Sequence, residues 1–186
     1  MQRCFIALEL DPDESQQLVA SVEPIKRASR ADKPRWLDVG SLHITLKFLG
    51  SVASERVTAL APALAQALVD YSPWQSHWAG FGGLPRRSKA HVLVAVLRDD
   101  EGLARGLWQA VDEVSARFGF PPETRDFKPH ATLARFRTSV DVRPYLSLAQ
   151  VPSAGVDLAN VVLYQSTLAP GGARYTALER FPLRGS

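Results

Sequence analysis

Among its 186 residues the chain has one cysteine, Cys4. A single thiol excludes an intramolecular disulfide and a cysteine-based zinc site, and it fits a reducing, cytoplasmic setting. Cys4 lies in the run Arg3-Cys4-Phe5-Ile6-Ala7-Leu8, which predicts a small buried hydrophobe rather than a nucleophile. No apolar stretch approaches the ~20 residues of a membrane-spanning helix. The N-terminus lacks the apolar core of a signal peptide, so the expectation is a soluble, cytoplasmic chain. Repeats and low-complexity tracts are also missing, which excludes a fibrous or disordered reading. What is there, 46% hydrophobic and 22% charged residues, suits one compact domain over 1–186 with its own core. The net charge of +3 leans toward an anionic partner such as RNA, and equally toward an ordinary solvated surface.

The pattern along the chain predicts a strand over Arg3–Leu10 and a helix from Asp11-Pro12-Asp13-Glu14 to near Pro24. A basic, proline-broken segment through Lys33-Pro34-Arg35 leads to strands over Trp36–Val39 and Leu42–Leu49. Apolar residues at helical spacing predict a second helix, Ser54–Val69, and a third, Leu103–Phe118, with Trp108 on its core side. Between them, strands over Trp74–Phe81 and Ala90–Leu97 flank a turn-rich basic loop, Gly82–Lys89. A strand over His130–Phe136, a short helix over Val142–Leu148 and two strands, Val156–Ser166 and Arg174–Arg180, complete the chain, the last two joined by a turn at Pro170-Gly171-Gly172. Helices are too few and hairpins too many for a parallel doubly wound sheet, so the fold class is α+β with antiparallel sheets.

Two of the four histidines open the same pattern, His43-Ile44-Thr45-Leu46 and His130-Ala131-Thr132-Leu133. At ordinary residue frequencies this coincidence is on the order of one in ten thousand, so the pair is a signal. Strict strand alternation puts His43, Thr45 and Lys47 on one face and Ile44, Leu46 and Phe48 on the other, toward the core. The same rule groups His130 with Thr132 and sends Arg135 to the opposite face unless the strand bulges. Two imidazoles titrating near pH ~6.5 suit in-line attack at phosphorus, one as base and one as acid. Threonine hydroxyls can donate to the nonbridging oxygens. Neither motif carries an acidic residue, so the set is a poor metal site, and no metal or other cofactor is expected. His77 and His91, without the threonine, are expected to be ordinary strand histidines.

These motifs resemble those of the 2H phosphoesterases. The longer strings Arg3–Leu8, Leu42–Gly50, Pro129–Arg135, Ser166–Leu168 and Gly172–Leu178 resemble the bacterial and archaeal RNA 2′,3′-cyclic phosphodiesterases, also called 2′-5′ RNA ligases. The resemblance implies a bilobal fold, with two similar lobes, each an antiparallel sheet with helices outside, lining a central cleft. It implies metal-free hydrolysis of a terminal 2′,3′-cyclic phosphate on RNA, tRNA fragments included, to a 2′-phosphate, with 2′-5′ ligation as the reverse reaction. His130 would activate water and His43 would protonate the leaving oxygen, while Thr45, Thr132 and Arg135 would bind phosphate. Candidate RNA contacts are Phe48, Arg86, Arg87 and Lys89. Where family members commonly carry a tryptophan, this chain has Val92-Leu93-Val94-Ala95-Val96, which bears on base stacking rather than on the phosphate chemistry. Nothing in the motifs demands a partner subunit, so a monomer is expected. An esterase of small cyclic nucleotides or of ADP-ribose cyclic phosphate, and a noncatalytic RNA-end-binding module, remain open alternatives.

Overall fold

The computed structural model describes residues 1–169 and 172–185. Its elements are β1 (Gln2–Glu9), α1 (Pro12–Ser21), α2 (Glu23–Ala28), β2 (Arg35–Trp36), β3 (His43–Val52) and α3 (Ser54–Leu68). They continue with β4 (Trp74–Ser76), β5 (Trp78–Arg86), β6 (Lys89–Leu97), α4 (Leu103–Arg117), β7 (His130–Val140), α5 (Arg143–Leu146), β8 (Val156–Leu158), β9 (Asn160–Ala169) and β10 (Gly172–Pro182). The α+β class with antiparallel pairing holds. Seven strands run in the order β10-β9-β1-β3-β7-β6-β5, β2 adds to β7, and β4 with β8 makes a separate two-stranded sheet. The halves of the large sheet meet at β3 and β7, where Ile44 opposite Ala131 is the registered pair.

One face of this sheet is core. Ile6, Leu8, Ile44 and Leu133 meet Leu18 of α1, Leu60 and Leu64 of α3, and Leu107 and Val111 of α4, all essentially inaccessible. Each such side chain contributes roughly 1.5–3 kcal/mol through burial. Cys4 is among them, 1% exposed, and burial pushes its thiol pKa up. Trp108 packs at the margin of this core, its ring stacked on Phe127 at 5.3 Å.

Several expectations need correction. The first helix ends at Ser21 and a second begins at Glu23, because Pro24 lacks the N–H a helix interior requires yet fits a first turn. The strand expected over Trp36–Val39 is only Arg35–Trp36, followed by a 3-10 turn at Val39–Ser41. Trp74–Phe81 divides between two sheets, as does Val156–Ser166. The basic loop is mostly strand, with β5 and β6 pairing as far as Arg86 opposite Lys89. Gly83 serves packing: a Cβ there would lie 2.7 Å from both Ala90 Cβ and Val142 Cγ2. The β9–β10 turn, expected at Pro170-Gly171-Gly172, falls largely outside the described residues, although Gly172 does pair with Ala169.

Candidate active site

His43 and His130 stand at the N-terminal ends of β3 and β7. With Ile44 opposite Ala131, the antiparallel register sets His43 across from Thr132 and Thr45 across from His130. The structure therefore brings both motifs to one place, on the sheet face away from the helices. The two imidazoles are anchored alike. His43 Nδ1 lies 2.9 Å from the Ser41 carbonyl oxygen, and His130 Nδ1 lies 2.6 Å from that of Lys128. A carbonyl only accepts, so each Nδ1 carries the proton and each neutral ring keeps Nε2 as its acceptor. Burial holds both imidazoles below their ordinary pKa, His43 down to about 4. The Ser41 and Lys128 carbonyls pull the other way, and the nearby Arg135 charge lowers both values further.

That influence of Arg135 follows from an interruption in strand alternation. Along β7, Leu93 pairs with Ala134 and Val94 with Thr132, which leaves Leu133 as an extra, unpaired residue. This bulge returns Arg135 to the face of His130 and Thr132. The same device recurs in β3, where Ile6 pairs with Lys47 and Ala7 with Thr45, leaving Leu46 unpaired. Both bulges fall on the fourth residue of the motif.

The second bulge overturns two expectations. Lys47 turns away from the histidines and is 6% exposed, bonded to Asp112 of α4 and to the Pro121 carbonyl oxygen. Phe48 does not join the core: it is 63% exposed and lies beside Phe5 on the histidine face. Arg86, Arg87 and Lys89 sit at the far end of the β5–β6 hairpin. Six residues separate Ala90, opposite Val140, from Val96, opposite His130, a run of ~20 Å along the strand. The structure does not bring those three to the histidine pair. His77 and His91 are exposed, His77 between β4 and β5 and His91 in β6.

An aromatic wall behind His43 escapes sequence reading. Phe5 packs on the imidazole at 4.7 Å, Tyr175 meets it edge-on at 5.1 Å, and Tyr164 stacks on Phe5 at 5.2 Å. Burial, with Glu9 nearby, pushes the Tyr164 hydroxyl up to about 12. Alternation in β1 does separate Phe5 from Cys4 and Ile6, but only the pairing of β1 with β3 and β9 reveals what that face meets. Among the described residues, no group of three or more His, Cys, Asp or Glu is placed to hold a metal ion. No helix of the described residues is long and apolar enough to cross a membrane.

This architecture has known relatives. LigT of Escherichia coli complexed with 3′-AMP superimposes with a TM-score of 0.80 at 26% identity, over 98% of each chain. An RNA 2′,3′-cyclic phosphodiesterase of Thermus thermophilus is 33% identical, over 98% of this chain and 91% of that protein. Another, from Methanothermobacter thermautotrophicus, is 27% identical over 97% of this chain and 98% of its own. The model of the 2′-5′ RNA ligase superfamily matches residues 12–168, and with the two anchored histidine motifs on one face, the chain belongs to that superfamily.

Proposed function

We propose that the chain is an RNA 2′,3′-cyclic phosphodiesterase, opening a cyclic phosphate at an RNA 3′ end to a 2′-phosphate. What carries the reading is the duplicated arrangement: two imidazoles anchored through Nδ1, each with an Nε2 that has no partner among the described residues, each across from the other motif's threonine. The relatives named for this activity support it. Water attacks phosphorus and gives its proton to one Nε2, the P–O3′ bond breaks, and the other imidazole protonates O3′. Thr45 and Thr132 donate to the nonbridging oxygens, and the Arg135 guanidinium faces the charge that builds there. His130 serves as base and His43 as acid. Because His43 is the harder imidazole to protonate, it takes up its proton when the anionic phosphate lies against it. Phe48 offers an exposed ring for a base. The two halves of the large sheet act as two lobes about this cleft, and the protein works as a monomer in the cytoplasm, on RNA ends that include tRNA fragments. Reversal of the same transfer would join RNA ends 2′-5′.

The test is an RNA oligonucleotide with a 2′,3′-cyclic end, incubated with the protein in chelator without ATP. A 2′-phosphate product supports the reading. A 3′-phosphate product, or turnover confined to small cyclic nucleotides, contradicts it.

A further inference from the structure

Arg135 has a neighbour of the same charge. β2 pairs with β7 so that Arg35 lies directly across from Arg135. Residues directly opposite on adjacent strands project from the same face, so Arg35 shares the face of His130 and Thr132. Like charges so placed repel, and among the described residues neither guanidinium has a carboxylate partner. The Arg35 side chain reaches β10, where its Nη1 lies 3.4 Å from the point a Cβ on Gly172 would occupy.

The basic cavity of about 270 Å³ lined by Lys26, Arg27, Arg30 and Lys33 lies apart from this face: its wall includes side chains of α2 and Trp36, which alternates to the face opposite Arg35 and packs against the core.

A terminal cyclic phosphate carries one negative charge and already meets Arg135 and two threonine hydroxyls. Arg35, on a strand that runs ~4.8 Å from that of Arg135 and with its guanidinium directed toward β10, offers a second cation for an anion of its own. A nucleic-acid backbone, a chain of spaced single charges, supplies that anion in the phosphodiester next to the cyclic end. We propose that the RNA strand leading to the cyclic end leaves the site over Arg35, which binds the phosphodiester preceding the terminal nucleotide. This rests on the hydrolytic reading above and adds its specificity: the enzyme selects polynucleotide ends over mononucleotides.

The test compares kcat/KM on uridine 2′,3′-cyclic phosphate, on a cyclic-ended dinucleotide, and on the same dinucleotide with a neutral methylphosphonate linkage. Wild type should prefer the charged dinucleotide to the mononucleotide, and Arg35→Gln should cut that ratio about tenfold, as removal of a charge-assisted hydrogen bond predicts. The neutral linkage should cost wild type the same factor and Arg35→Gln nothing further. Arg35→Gln should also reduce the salt slope on the dinucleotide by ~0.7, one phosphate no longer being neutralised. Equal losses on mononucleotide and dinucleotide in Arg35→Gln, or an unchanged ratio, overturn the Arg35 assignment while leaving the hydrolytic reading standing. Failure of wild type on every cyclic substrate overturns both.

Discussion

Replacing His43 by glutamine should remove a specific dependence of stability on pH. In the folded protein burial holds this imidazole at about 4, while in the unfolded chain it returns to its ordinary value near 6.5. Between those values the unfolded chain binds more protons than the folded one, so stability falls as pH falls through that window. The whole gap corresponds to about 3 kcal/mol, of which about 2 kcal/mol is lost between pH 7 and pH 5. Urea unfolding of wild type and His43→Gln at pH 5, 6 and 7 reads this directly, since carboxylates and other histidines contribute to both proteins and drop out of the difference. Wild type should lose about 2 kcal/mol more than the variant on going from pH 7 to pH 5. Parallel stability curves would refute the assignment of a buried, neutral His43.

The same electrostatics shape catalysis. With both imidazoles below their ordinary value, kcat/KM should peak between pH ~4 and ~6.5 and fall above it as the remaining catalytic proton is lost, whereas a plateau extending to pH 8 would contradict the burial argument. Arg135→Ala should lower kcat about 100-fold and raise both histidine pKa values in an NMR titration; activity loss without movement of the imidazoles would place Arg135 away from them. Lys47→Met strands Asp112, 14% exposed, and should destabilise the fold by about 3 kcal/mol in urea unfolding. Adding Asp112→Asn should recover part of that loss, and strictly additive losses would show that the pair is not coupled.

Much of this molecule is readable from period and motif. Alternating or continuous apolar runs locate the strands, 3.6-residue spacing locates α3 and α4, and the repeated His-x-Thr-Leu pattern picks out the residues of the candidate site. What escapes is whatever depends on an interruption of period. Residues after Leu46 and Leu133 change face because a bulge absorbs one residue, and nothing local in Leu-Lys-Phe or Leu-Ala-Arg announces it. One missed residue therefore misplaces both Lys47 and Phe48, and it leaves Arg135 conditional on a bulge. The aromatic wall of Phe5, Tyr164 and Tyr175 unites residues more than 150 positions apart, a juxtaposition set by strand order rather than by sequence spacing. Arg35 is hidden for the same reason: its two-residue strand acquires meaning only by pairing with Arg135. Gly83 misleads in the opposite direction, because close packing inside a strand selects the same residue as a turn does.

The central claim is that two imidazoles from two motifs divide the proton transfers of one phosphoryl transfer. The most direct measurement is single-turnover hydrolysis of a cyclic-ended RNA by wild type, His43→Ala and His130→Ala, with the bound fraction of RNA determined alongside. A drop of about 10²–10⁴-fold in rate in each variant, with RNA still bound, is the predicted result. Full turnover after removal of either histidine would contradict it.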